Sequence, residues 1–270
     1  METLKDRMKE YQKQRDYKLP NDKYIIAHID GRAFSKMIKK KFELPFDDVF
    51  INMMDETAAY VCENVQGAKL AYVQSDEMTL IITAYSNDEN GLKLGSPFFD
   101  YRLCKMQSII ASLATAKFNQ LMILYNMEHH PNINPVNTIE NAALCQFDCK
   151  CWDVPSYDEA YNWLKFRQND CIRNSKQQFA QTYVSHKELL NKNADEQVTL
   201  CKLKSGKDWT TISPKYKYGR LVYRTVYPTQ TTDKNGNVIN VIRSKYSSWL
   251  IDEPFTYDWF VSSELVPKVD

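Results

Sequence analysis

The chain has 270 residues, 43% of them apolar and 26% charged, a balance that suits a folded chain with a substantial core and excludes a disordered one. Thirty-five Lys and Arg stand against 34 Asp and Glu, a formal net charge of +1. Any nucleic-acid surface must therefore be local rather than a global basic field. None of the 7 glycines falls in a G-x-G-x-x-G or G-x-x-x-x-G-K-[ST] pattern, which removes the usual signature of dinucleotide and P-loop sites.

Residues 2–18 read as a charged helix or arm that ends at the breaker Leu19-Pro20-Asn21-Asp22. No apolar h-region precedes this point and seven cysteines are an odd number, so a reducing cytoplasm is the expected location. Tyr24 to Ile29 is a nearly continuous apolar run, a buried strand that delivers Asp30-Gly31 at its end. From Asp47 to Val65, apolar residues recur at helical spacing behind Asp47, a fitting N-cap. Leu70–Gln74 and Met78–Thr83 are β-prone and flank Ser75-Asp76-Glu77, which predicts a hairpin with two acids at its turn.

A long helix follows over 101–125, with Arg102 and Lys105 one turn apart and able to point to one side. Residues 126–140, rich in Asn and Pro, read as a loop. A strand is expected over 142–147, ahead of Asp148, and helix from Tyr157 towards Leu190. Finally, Leu221–Tyr227 and Val238–Ile242 flank Asn235-Gly236, a hairpin-turn signal. The order β-α-β-β-α-β is the split βαβ arrangement. It predicts an α+β fold with an antiparallel sheet and helices on one face. Residues 1–190 form the main domain in this reading, and 191–270 form an extension carrying the hairpin and packed on it. No apolar run reaches the ~18 residues of a membrane span, and a membrane is not expected as a partner. Cys145, Cys149 and Cys151 cluster, but C-x3-C-x-C is not a standard zinc spacing, so they read as free thiols.

Asp30 and Asp76 both end predicted core strands, which lets them lie side by side in an antiparallel sheet although 46 positions apart. On residue type alone, turn formation is the simpler role for such aspartates. Two adjacent carboxylates repel unless a hard cation stabilises both. A pair of Mg²⁺ ions ~3.5–4 Å apart would suit an in-line displacement at phosphorus. The Gly31 carbonyl is a further candidate ligand, because a residue without a side chain allows close approach. Lys39, Lys40 and Lys41 form a short basic run able to touch phosphate.

Three segments, His28-Ile29-Asp30-Gly31-Arg32-Ala33-Phe34-Ser35, Phe42-Glu43-Leu44-Pro45-Phe46-Asp47 and Ala71-Tyr72-Val73-Gln74-Ser75-Asp76-Glu77, together resemble the tRNA(His) guanylyltransferase family. Ser108–Ala116, Phe147-Asp148 and Trp163–Ser175 follow in the family's order, and Ser185–Leu189 resembles its bacterial-type branch, the Thg1-like 3′–5′ polymerases. The resemblance covers roughly residues 4–226.

It implies a polymerase-palm-like catalytic domain that adds nucleotides to the 5′ end of tRNA in the 3′-to-5′ direction. ATP first activates the 5′-phosphate, and the hydroxyl of GTP or another nucleoside triphosphate then attacks. Carried over by motif, Asp30, Gly31 and Asp76 hold two Mg²⁺ ions, and Asp30, Asp76 and Glu77 form the catalytic set. Asp30, Gly31, Arg32, Ala33, Phe34, Ser35, Ser75 and Asp76 line the nucleotide. Arg102, Lys105, Asn174 and Lys41 are placed on triphosphate or tRNA phosphate. Assembly as a homotetramer is implied as well.

Three departures stand out. His28 replaces an Arg of many relatives, Cys149-Lys150 replaces an Arg-containing version, and Ile172-Arg173-Asn174-Ser175 replaces His-Ile-Asn-Asn. The last points to template-dependent repair of tRNA 5′ ends rather than dedicated tRNA(His) maturation. A non-catalytic tRNA-binding palm and a nucleotide cyclase are the competing readings.

Overall fold

In a computed structural model the described residues are 3–14, 16–88, 91–129, 144–234 and 236–269. Helix α1 (Leu4–Lys13) leads to strand β1 (Tyr24–Gly31), and α2 (Phe34–Lys41) and α3 (Asp48–Asn64) follow. Strands β2 (Ala68–Gln74) and β3 (Glu77–Ile82) form the expected hairpin, and β4 (Tyr85–Asp88) with β5 (Gly91–Leu94) make a second, small one. Then come α4 (Leu103–His129), β6 (Phe147–Val154), α5 (Tyr157–Tyr183), α6 (His186–Leu189), α7 (Ala194–Ser205) and α8 (Pro214–Lys217). Strands β7 (Arg220–Thr232) and β8 (Val238–Leu250) precede α9 (Tyr257–Ser262).

Six strands pair antiparallel in the order β6-β1-β3-β2-β7-β8, so the mixed antiparallel fold read from the sequence is the observed one. The helices, however, cover both faces rather than one. Ile25, Ala27 and Ile29 of β1 join Met54, Ala58 and Val61 of α3 and Ile110 and Phe118 of α4 in one core. Their neighbours Tyr24 and Ile26 pack with Tyr157, Ala160 and Leu164 of α5 and with Phe255 and Phe260 on the opposite face. A strand buried on both faces needs a continuous apolar run rather than alternation, which is what Tyr24–Ile29 supplies.

Several boundaries move for physical reasons. Asp47 does cap α3, its Oδ1 accepting from the Phe50 N–H at 2.9 Å. Glu77 belongs to β3, opposite Gln74, which leaves Ser75-Asp76 as a two-residue turn. The helix expected to end at 125 continues to His129, while the remainder of that predicted loop, 130–140, lies outside the described residues, as do 142 and 143 of the predicted strand. The strand itself starts at Phe147, where the sequence pattern ends it, because Phe147 to Val154 pairs residue by residue with Gly31 back to Tyr24. The helix from Tyr157 breaks at Val184, whose backbone is extended, before α6. Asn235 lies outside the described residues, and the flanking β7–β8 ladder runs from Arg220↔Leu250 to Thr232↔Val238. Through β2, that ladder continues the same sheet.

Candidate active site

The site begins at the end of β1. Asp30 sits opposite Glu77 on one side and Asp148 on the other, and the Gly31 N–H donates to the Asp76 carbonyl at 3.0 Å. The two aspartates singled out in the sequence are therefore brought together by the β1–β3 pairing and the short Ser75-Asp76 turn. Among the described residues no ion pair is made by either. Burial pushes the Asp76 carboxyl up to about 6, against the opposing hydrogen bond from the Ser75 hydroxyl at 3.0 Å. Burial also raises Asp30, and the nearby Glu77 charge adds to it. Both groups lose solvation without gaining an ion-pair partner among the described residues, a condition that favours a hard metal ion.

Glu77 is in a different state. Arg167 of α5 donates to both its oxygens, Nε to Oε1 at 2.9 Å and Nη2 to Oε2 at 2.7 Å. The same guanidinium reaches Asp170 at 2.7 Å, and Gln74 donates to Glu77 Oε1 as well. A carboxylate held in this way is a positioning group rather than an open ligand.

Residues 31–35 form the bend into α2. A Cβ built on Gly31 would lie 2.6–2.9 Å from the ring of Phe34, so glycine is required here by packing. That ring is 2% exposed and sits among Phe50, Phe118 and Phe147. The Phe34 side chain therefore belongs to the core, and only its backbone can face a ligand. Ala33 adopts a left-handed backbone (φ 59°, ψ 26°) at the start of α2, and no side chain caps that helix. Ser75 is left-handed too (φ 43°). Two such non-glycine residues, costing about 1 kcal/mol each, flank the aspartates. Arg32 extends to Gln146 Oε1 at 3.0 Å, and Ser35 is exposed on α2.

Ser75, Asp76, Glu77 and Asn174 line one cleft of about 140 Å³. Cys171, Asn174, Ser175 and Gln178 recur at helical spacing and form its α5 wall. Pro45, Phe46 and Asp47 form another wall, and Lys215, Tyr216 and Arg220 a third. Tyr216 stacks on Phe46 with ring centroids 4.7 Å apart and planes 9° apart. Sequence reasoning missed this third wall. The α5 wall was missed as well, apart from Asn174, although its helical period could have shown it, whereas nothing local connects 214–220 with 43–47.

The other predicted residues lie elsewhere. Arg102 pairs with Asp16 at 2.7 Å, and Lys105 lies over the Phe99 ring at 4.3 Å. They line a separate depression with Gln12, Asp16, Cys104 and Ser108, which shares no residue with the first cleft. Lys41 donates to Asn126 of α4 at 3.2 Å and does not line the cleft. His28 packs between Thr79, 3.0 Å from its Nδ1, and the Trp163 ring, and burial lowers its pKa. So enclosed, His28 is held by its neighbours rather than presented to a ligand.

Among the described residues no three His, Cys, Asp or Glu side chains gather as a metal cage. That is compatible with Mg²⁺, which keeps waters and is held by one or two carboxylates together with substrate phosphates. Asp30 and Asp76, with the Gly31 main chain between them, fit such a set.

The sequence profile of the family described as tRNAHis guanylyltransferase (Thg1) matches residues 5–155. The chain belongs to the tRNA(His) guanylyltransferase family. Members of this family are nucleotidyltransferases. An uncharacterized protein of Acanthamoeba polyphaga mimivirus is 29% identical over 238 residues, 84% of this chain and 79% of that protein. A probable tRNA(His) guanylyltransferase of Dictyostelium discoideum is 28% identical over 148 residues, 54% of this chain but only 50% of that protein. Among solved structures, a bacterial tRNA(His) guanylyltransferase (Thg1)-like protein in complex with ATP superposes with a TM-score of 0.74 at 28% identity, covering 98% of this chain and 97% of that one. A bacterial Thg1-like protein in complex with GTP gives a TM-score of 0.67 at 28% identity, over 97% and 96%. The β7–β8 extension, outside the profile match, is thus inside the structural one.

Proposed function

We propose that this member of the guanylyltransferase family extends the 5′ end of tRNA in the 3′-to-5′ direction, using ATP for activation and a nucleoside triphosphate as the added unit. The observation that carries the reading is the pair of carboxylates Asp30, at the end of β1, and Asp76, in the adjoining β2–β3 turn, neither in an ion pair among the described residues, with Asp76 lining the cleft. Solved relatives bound to ATP and to GTP support the nucleotide class. Two Mg²⁺ ions on Asp30, Asp76 and the Gly31 carbonyl would supply charge balance on the phosphates and a lower pKa for the attacking hydroxyl.

The chain's own residues do the rest by orientation and electrostatics. Ala33 turns the backbone so that the uncapped start of α2 presents its N–H groups to phosphate. Ser75 orients Asp76 through its hydroxyl. Phe46, Tyr216 and Asn174 offer the cleft an aromatic wall and an amide for the nucleotide. Arg102 and Lys105, in their separate depression, are assigned to tRNA or triphosphate away from the aspartates. Cytoplasmic location and a homotetramer are part of the same proposal.

Replacement of His-Ile-Asn-Asn by Ile172-Arg173-Asn174-Ser175 favours repair, with the opposite strand selecting the incoming base by pairing and the protein holding backbone and shape. The test supplies full-length and 5′-truncated tRNAs with labelled nucleotides and maps the growing end. Truncated tRNA of non-histidine identity should be extended by the complement of its facing base, at least as well as G is added to full-length tRNA(His). Addition of G irrespective of the facing base would replace repair with maturation, and no growth at any 5′ end would remove the proposal.

A further inference from the structure

We infer that Arg167 is a positioning residue that fixes the Asp76 turn for cation binding, and that Glu77 acts through it rather than as a ligand. The inference rests on the reading of Asp30 and Asp76 as the cation site. Its ground is how α5 meets the β2–β3 hairpin. The turn is two residues long, and both residues that flank it are tied to Arg167. On one side, Glu77 takes two charge-assisted bonds from the guanidinium at 2.9 and 2.7 Å. On the other, the Gln74 amide donates to the main-chain carbonyl of Arg167 at 3.1 Å. Gln74 also donates to Glu77, which closes the loop.

The clamp is itself held. Asp170 accepts from Arg167 at 2.7 Å and from Arg173 at 2.7 Å, so the two cations and the two acids, Glu77 and Asp170, cancel. The side chains of Arg167, Glu77 and Asp170 are 13–15% exposed, which limits solvent screening of these bonds. Ser75, between the clamped residues, is left-handed at φ 43°. An unfavourable backbone persists where its surroundings over-determine it, and the double attachment to Arg167 supplies that constraint.

Two mechanisms for Arg167 predict opposite results. If the guanidinium merely sets the local charge, removing it leaves Glu77 bare beside Asp30 and strengthens attraction for a divalent cation. If it positions the turn, removing it frees the hairpin tip and weakens binding, because a ligand whose supporting bonds are lost costs roughly 10–100-fold in metal affinity.

The experiment measures Mn²⁺ binding to the full chain by the electron paramagnetic resonance signal of free Mn²⁺, with thermal unfolding in chelator as a fold control. Wild type, Arg167→Met, Arg167→Lys, Glu77→Gln and the double variant Arg167→Met/Glu77→Gln are compared. The expected result is a roughly 10–100-fold loss for Arg167→Met and a smaller loss for Arg167→Lys, which keeps the charge but not the paired geometry. Glu77→Gln should cost nothing further in the Arg167→Met background, since the two act as one unit. Should Arg167→Met fail to fold, weaker Mn²⁺ binding by folded Arg167→Lys supports the clamp, and unchanged binding overturns it. Tighter or unchanged binding by folded Arg167→Met, or additive losses in the double variant, also overturn it. Absence of Mn²⁺ binding by the wild-type chain would remove the cation reading of Asp30 and Asp76, and the clamp with it.

Discussion

Asp76 illustrates a residue kept at a cost to the fold. Its carboxyl is raised by burial from the ordinary 3.8 to about 6. A carboxyl whose folded pKa exceeds its unfolded value contributes most stability when protonated. That contribution is complete below about pH 4 and is lost as pH rises through about 6. Above that, the ionised group without a cation opposes folding, by an amount on the order of 1–2 kcal/mol after allowing for the solvent that still reaches it. Asp76→Asn should therefore raise the melting temperature of the metal-free protein by a few degrees at pH 8, with the gain fading towards pH 4, while abolishing nucleotide addition. Melting curves across that range in chelator, beside a tRNA-extension assay, check both halves. An equal or lower melting temperature for the variant at pH 8 would contradict the burial argument. Gly31 makes the opposite case. Gly31→Ala drives a methyl into the Phe34 ring, and overpacking of this kind costs about 1–3 kcal/mol, readable as a lower denaturation midpoint with an unchanged slope.

The hairpin, α3 and the strand of Asp30 were legible because their signals are local: a continuous apolar run, a helical period behind an Asp, and two β-prone runs around a short polar turn. Those elements carry Asp30, Ser75 and Asp76, so the approach of the two aspartates was legible from local pattern, whereas their reading as a site came from the family resemblance. Strand β6 was displaced because Cys149, Cys151 and Trp152 face two different cores, and a strand packed on both sides has no simple alternation to read. The Arg167–Glu77 pairing and the Lys215-Tyr216 wall join residues 90 and about 170 positions from their partners, and no spacing rule reaches that far. At this scale Asp47 offers a test, since its Oδ1 caps α3 while its Oδ2 accepts from the Glu43 N–H at 2.9 Å. Asp47→Ala should cost about 1 kcal/mol through the lost cap and also loosen the cleft wall at 43–46. Asp47→Asn, whose single amide oxygen can replace only one of the two acceptors, should retain most of the α3 cap while losing the bond from the Glu43 N–H. Urea unfolding together with the KM for nucleotide separates the two effects.

At the scale of the whole molecule, the residues beyond 190 complete the fold around the site. Strand β7 pairs with β2, the strand that leads into Asp76. Its first residue, Arg220, is 2% exposed and meets Asp55 of α3 at 2.7 Å, with the Ser248 hydroxyl donating to the same carboxylate. Removing one partner of such a pair strands a buried charge, so Arg220→Met should destabilise by about 3–5 kcal/mol, and Arg220→Met with Asp55→Leu should recover much of that loss. Farther along, Leu221, Ile251, Phe255, Phe260 and Val266 supply a large share of the core between the sheet and α5. Without them, one face of β1, β2 and β3 would be open beside a helix that holds the Asp76 turn through Arg167. A fragment ending at residue 190 should therefore lack a cooperative thermal transition and bind no nucleotide, whereas the full chain unfolds in one step. A fragment of 1–190 that melts sharply and still binds ATP would show that the first part of the chain needs no support from the second, and would return the later strands to an accessory role.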